Sequence, residues 1–109
     1  MNSAKTRLFI IEDDEILQVN ISHILKDEQH EIHIYGTGQA ALEQLDLNPQ
    51  VVILDYNLPD LRGDEILKSI KAHDPTIHVI VLSAQGELTT AVNMMEIGAL
   101  EYLTKDSSL

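Results

Sequence analysis

Apolar and polar positions along this 109-residue chain follow two alternating periods. Leu8 to Ile11, Val51 to Leu54 and Ile77 to Leu82 are almost unbroken apolar runs, and runs this short and rich in Val and Ile read as strands covered on both faces. They predict strands over 7–11, 51–55 and 77–82. Residues 31–35 instead alternate, Ile32 and Ile34 against Glu31 and His33, as a half-buried edge strand does. A fifth strand is predicted over 100–103, ending at Thr104 and Lys105. Between the strands the period changes to that of a helix. Ile16, Leu17, Ile21, Ile24 and Leu25 predict a helix over 15–27, with Asp14 as its N-cap. Gly36, Thr37 and Gly38 turn the chain into a short helix over 39–46, with Ala41, Leu42 and Leu45 inward, which Asn48 and Pro49 end. A third helix covers 64–73 on Ile66, Leu67 and Ile70, ended by Asp74 and Pro75. A weaker fourth covers 87–97, with Val92, Met95 and several small residues, and breaks at Gly98.

Strand and helix alternate throughout, which predicts an α/β fold: a doubly wound parallel sheet joined by right-handed crossovers. The three continuous apolar strands (first, third and fourth) belong at its centre. Residues 1–109 form one domain, without repeat, low-complexity tract or linker. A chain of this size buries about two thirds of its unfolded surface, enough for a real core.

Charge removes several function classes. The formal net charge is -11, from 18 acidic residues against 7 Lys and Arg, so this segment presents no basic face for nucleic acid. Without Cys it has neither a disulfide framework nor thiolate chemistry. The five His are scattered and none pairs at metal-ligand spacing. The first seven residues lead straight into a short apolar run followed by acids, so no targeting peptide is expected, and no run is long enough to span a membrane. A cytoplasmic protein is the expectation.

The chemistry sits where the strands end. The first strand delivers Glu12 and Asp13, the third Asp55, the fourth Ser83 and the fifth Lys105. Taken singly these are ordinary: an Asp at a strand tip is more often a turn residue, and an acidic run before a helix suits its dipole. Together they occupy one edge of the sheet, the edge where open α/β folds bind ligands. Three carboxylates in one pocket repel each other, and a hard dication such as Mg²⁺, which takes oxygen ligands, resolves that repulsion. A dication, an ammonium, a hydroxyl and one carboxylate suit a phosphoryl group, with Asp55 as nucleophile.

The motif around Asp55 is Asp55-Tyr56-Asn57-Leu58-Pro59-Asp60-Leu61-Arg62-Gly63. With the acid pair Glu12-Asp13, Ser83 followed by Ala84, and the closing run from Gly98 to Lys105, the whole chain resembles the receiver domain of bacterial two-component response regulators. The resemblance implies a flavodoxin-like sheet of five strands in order 2-1-3-4-5. It implies a phosphoacceptor, Asp55, charged by a sensor histidine kinase or phosphotransfer protein. Asp13, Asp55 and the backbone carbonyl of Asn57 would ligate Mg²⁺, with Glu12 acting through water. Lys105 would bind the phosphoryl group, Ser83 would move toward it, and Tyr102, otherwise an ordinary strand aromatic, would rotate inward behind it. Asn57 and Gln85 hold the positions that set the lifetime of the acyl phosphate. The switch would bias the surface of the fourth helix and fifth strand, toward an output domain in cis or a partner protein in trans, and leaves homodimerisation open. Such a domain gains and loses its own phosphoryl group rather than turning over a substrate as an enzyme.

Two departures stand out. The family usually has Pro after this Lys, in a cis peptide; here Asp106 follows, for which cis costs about 3–4 kcal/mol, so the geometry of the Lys105–Asp106 peptide stays open. Only four residues follow Lys105, so the family's last helix is missing or truncated, and the sheet face over the first and fifth strands is expected to be open. Two rival readings are a receiver-like scaffold acting by contact alone and an aspartyl-nucleophile phosphatase of the haloacid dehalogenase type. The intact set Asp13, Asp55, Ser83 and Lys105 opposes the first. Asn57, where the second needs an Asp, and a chain too short for a cap oppose the phosphatase.

Overall fold

The computed structural model describes residues 4–84 and 86–105. Five strands, β1 (Thr6–Ile11), β2 (His30–Tyr35), β3 (Val51–Asp55), β4 (His78–Ser83) and β5 (Glu101–Thr104), form one sheet in the order β2-β1-β3-β4-β5. Every pairing is parallel. The three continuously apolar strands are therefore the interior ones and the alternating strand β2 lies at an edge, as their patterns predict. The crossovers are the helices α1 (Glu15–Leu25), α2 (Gly38–Leu42), α3 (Gly63–His73) and α4 (Leu88–Ile97).

The larger core lies between the sheet and α2, α3 and α4. Phe9, Val52, Leu54, Val79 and Val81 point into it from the strands, and Ala41, Ile66, Leu67, Ile70 and Met94 from the helices. The opposite face carries a smaller cluster, Ile10, Ile21, Ile53 and Leu82, with Leu17 and Leu25 of α1 packed against it. Among the described residues α1 is the only helix on that face. A recess of about 180 Å³ opens beside it, lined by Ile21, Ile24, Leu25, Ile53, Ile80, Leu82 and Leu103.

Local signals account for most boundaries. Asp14 is the N-cap of α1, its Oδ1 accepting from the amides of Ile16 and Leu17 at 2.9 and 3.2 Å. That helix ends at Leu25, two residues earlier than its pattern suggests, where His30 Nδ1 meets the Leu25 carbonyl at 2.6 Å. The second helix departs further from expectation. Instead of running over 39–46 it stops at Leu42, and a 3-10 turn over Leu45–Leu47 follows. The chain leaves that turn through Asn48 in the left-handed conformation, φ 59°. A tertiary contact explains the change: the Arg7 guanidinium of β1 binds the Leu47 carbonyl, while Leu45 is drawn into the core.

Candidate functional site

Register brings the strand ends together. Asp55 pairs with Leu82, and Ser83 with Thr104, so the last residues of β3 and β4 and the residue after β5 reach the same edge. Glu12 and Asp13 leave β1 beside them, Glu12 N bonding to the Tyr35 carbonyl at 3.0 Å. Asp55 and Glu12 are almost fully enclosed, at 2% and 1% relative exposure, and Ser83 is buried, whereas Asp13 faces solvent.

Lys105 ties the acids together. Its Nζ lies 3.1 Å from Asp55 Oδ1 and 3.2 Å from Glu12 Oε1. Burial opposes the charge on Lys105, but the charges and hydrogen bonds of Asp55 and Glu12 outweigh it and raise its pKa. Burial acts on Glu12 in the opposite sense, pushing its carboxyl up to about 7; the Asp14 amide counters this in part and the Asp55 charge adds to it. Glu12 Oε2 accepts from that amide at 3.1 Å, and the Glu12 carbonyl accepts from Gln18 Nε2 at 2.6 Å. Among the described residues Glu12 Oε1 meets only the Lys105 ammonium, a contact too poorly aligned to satisfy this buried oxygen.

Glu12, Asp13 and Asp55 each offer a carboxylate oxygen, and the three oxygens lie within 4.8 Å of one another. A hard divalent ion such as Mg²⁺ takes oxygen ligands of this kind, together with waters. The charges agree as well. When all three carboxyls are ionised, the one ammonium leaves two negative charges, which a dication offsets. An oxygen-only donor set with one under-partnered buried oxygen fits Mg²⁺ and does not suit a softer metal.

The loop after Asp55 is tightly closed. Asn57 N donates to Asp55 Oδ1 at 3.1 Å, Tyr56 N to the Leu82 carbonyl at 2.8 Å, and Gly63 N to the Tyr56 carbonyl at 3.0 Å. Asn57 and Arg62 form an antiparallel bridge across the loop. Beside it, a cavity of about 190 Å³ is lined by Tyr56, Asn57, Ser83, Glu87, Thr90 and half-buried Tyr102. Ser83 and the Tyr102 ring thus border a common space. Gln85 and the Lys105–Asp106 peptide lie outside the described residues. Three contacts are not evident in the sequence pattern: the double contact of Lys105, the clasp of Gln18 on Glu12, and the reach of Asp60 to the start of α2, where Oδ1 and Oδ2 accept from the amides of Gly38 and Gln39 at 2.9 and 2.8 Å.

The family model for the response regulator receiver domain matches residues 8–109. The regulatory protein AtoC of Escherichia coli is 30% identical over 108 residues, which cover 98% of this chain and 23% of AtoC. Among solved structures, the receiver domain of a LuxO repressor protein from Vibrio parahaemolyticus superposes with a TM-score of 0.86 at 33% identity, covering 93% of this chain and 78% of that one. The Mn²⁺-bound form of the response regulator Rcp1 superposes with a TM-score of 0.84 at 28% identity, covering 95% and 84%. The chain spans less than half the length of AtoC and of CutR from Streptomyces coelicolor, of which it covers 46%.

Proposed function

The chain belongs to the response regulator receiver domain family of two-component systems, and from that premise we propose that Asp55 is its phosphoacceptor. The observation that carries this is the double contact of Lys105, whose Nζ lies 3.1 Å from Asp55 Oδ1 and 3.2 Å from Glu12 Oε1 beside a three-carboxylate cluster. Buried charges with shifted pKa values converging at the ligand-binding edge of the sheet are a mark of a site that does chemistry.

An Asp55 carboxylate oxygen attacks the phosphorus of a phosphohistidine on a partner kinase or phosphotransfer protein. A P–O bond forms, the P–N bond breaks, and its electron pair leaves with the imidazole. Asp13, Asp55 and the Asn57 carbonyl would hold Mg²⁺ and Glu12 would reach it through water; when bound, the ion offsets charge on the phosphoryl oxygens. That the similar response regulator Rcp1 has a Mn²⁺-bound form supports the reading that this chain takes a divalent ion. Lys105 exchanges its carboxylate contact for a phosphoryl oxygen. Ser83 turns its hydroxyl to another, and Tyr102 moves into the 190 Å³ cavity that both residues border. That movement changes the surface of α4 and β5 and so reaches an output domain or partner protein. Asn57 and Gln85 set how readily water removes the phosphoryl group. The place of action is the cytoplasm, where the kinase domains that charge such receivers lie.

The test is incubation with Mg²⁺ and a radiolabelled small phosphodonor. About one label per chain is expected, lost in Asp55→Asn and in the presence of a chelator. Continuous release of phosphate in large excess over protein would indicate a phosphatase. An absence of label would leave only a scaffold and would refute the proposal.

A further inference from the structure

The loop that carries Asp55 and Asn57 is held at its tip by a contact that the chemistry above does not use. Residues 57 and 62 are bridged at the base of the loop, and the tip between them runs Leu58, Pro59, Asp60 and Leu61. Asp60 reaches from this tip to another crossover. Its two carboxylate oxygens accept from the first two amides of α2, Gly38 N at 2.9 Å and Gln39 N at 2.8 Å. Thr37 Oγ1 takes the next amide, that of Ala40, at 3.2 Å. The first turn of α2 is therefore shared: its own N-cap serves one donor, and the loop after β3 serves two.

Packing tightens the same junction. A Cβ added to Gly38 would lie 2.6 Å from Ile66 Cδ1 and 3.3 Å from Leu61 Cδ1, so the α2 backbone sits directly on the residue after Asp60 and on α3. Burial works against the Asp60 charge, but the amides of Gln39 and Gly38, with those of its own loop, prevail and hold its carboxyl below the usual range. The carboxylate is thus ionised at neutral pH, and both contacts are charge-assisted.

We propose that Asp60 is a positioning residue for the divalent-cation site: by anchoring the tip of the Asn57–Arg62 loop to α2, it holds the Asn57 backbone at the distance from Asp13 and Asp55 that the ion requires. This rests on the reading of Asp55 and Asn57 as ligands. Asp60 touches neither ion nor phosphoryl group. It acts because a short loop bridged at its base and clamped at its tip leaves the base residue Asn57 little freedom to move.

The experiment is a Mg²⁺ titration of the chain followed by backbone amide NMR shifts, with thermal melts on the same samples. Wild type, Asp60→Ala, Asp60→Asn and Thr37→Ala are compared. Asp60→Ala is expected to weaken Mg²⁺ binding about 10-fold, the usual cost of losing a support one step removed from the ligands. Asp60→Asn retains one acceptor and is expected to fall between wild type and Asp60→Ala; it carries the test should Asp60→Ala not fold. Thr37→Ala removes a cap from the same helix turn without touching the loop, so it should lower the melting temperature by a few degrees and leave Mg²⁺ affinity within about 2-fold of wild type. Wild-type affinity in both Asp60 variants would overturn the inference. An equal loss in Thr37→Ala would also overturn it, by showing general damage to α2. If wild type itself shows no saturable Mg²⁺ response and takes no label on Asp55, the underlying reading of the site fails, a result distinct from either.

Discussion

Replacing Gly63 by Ala should damage both the fold and the site, and the reason is space alone. Gly63 opens α3 with ordinary backbone angles, and Gly98 is the one glycine of positive φ among the described residues, so Ala could adopt the conformation. The added methyl, however, would lie 2.6 Å from Tyr56 Cδ1 and 2.9 Å from Tyr56 Cα. Carbon atoms in contact prefer about 3.5–4.0 Å. A ring can swing aside, but the Cα cannot move without its backbone. Tyr56 N is bonded to the Leu82 carbonyl at 2.8 Å and the Tyr56 carbonyl to Gly63 N at 3.0 Å, so any retreat strains one of these or shifts Asp55 next door. Overpacking of this kind costs about 1–3 kcal/mol, which in a domain of this size lowers the melting temperature by roughly 5–15 °C. Gly36→Ala is the control, since a Cβ there meets nothing within 4 Å and φ is not positive. It should leave the melt unchanged or raise it by a few degrees through the unfolded state. Circular dichroism melts of the two variants decide the matter, and phosphodonor labelling adds the site readout, with slower labelling expected in Gly63→Ala. A Gly63→Ala melt within about 2 °C of wild type would refute the steric reasoning.

Lys105→Met should leave Glu12 and Asp55 buried without their common counter-charge. Breaking a buried pair costs about 3–5 kcal/mol, to be discounted here because Lys105 remains 24% exposed; a fall in melting temperature that millimolar Mg²⁺ partly reverses is expected, and an unchanged melt would contradict it. On the edge strand, hydrogen bonds from Arg7 and then His33 hold the Glu31 carboxyl down at about 2 against an ordinary 4.5. The folded value lies below the unfolded one, so this contact stabilises fully above about pH 5 and is lost as pH falls through 4.5 toward 2. The melting difference between wild type and Glu31→Gln should therefore shrink across that range, and a difference constant with pH would show that the ion cluster contributes nothing.

How much of this is legible in the sequence depends on how far apart the interacting residues are. The three interior strands are legible almost residue for residue, because a strand covered on both faces is apolar along most of its length. Asp14 was legible as a cap because its partners are two and three residues on. The convergence of Glu12, Asp13, Asp55, Ser83 and Lys105 was legible for a topological reason: in a parallel sheet every strand ends on the same edge, so order along the chain implies neighbourhood in space. The second helix departs from its pattern where a distant residue intervenes. Ala41, Leu42 and Leu45 suit a continuous helix, but the hold of Arg7 on the Leu47 carbonyl ends the region in a tighter turn.

Asp60 marks the same limit within the site. Between Pro59 and Leu61 it reads as turn chemistry, which describes its backbone and misses its side chain. Its partners are 22 and 21 residues earlier. They become neighbours only because α2 starts from β2 and crosses β1 to reach β3, which sets the first turn of α2 against the loop that leaves β3. A strand end is constrained by sheet topology, and a loop tip by what packs on it. The groups proposed to do the chemistry sit on strand ends or directly after them. Asp60, proposed to hold them in place, sits on a loop tip against a helix turn, and so stays hidden until the crossovers are built. If Asp60 matters as proposed, a receiver with a small residue at this position must anchor its loop in another way. Asp60→Ala asks whether this chain has any such alternative.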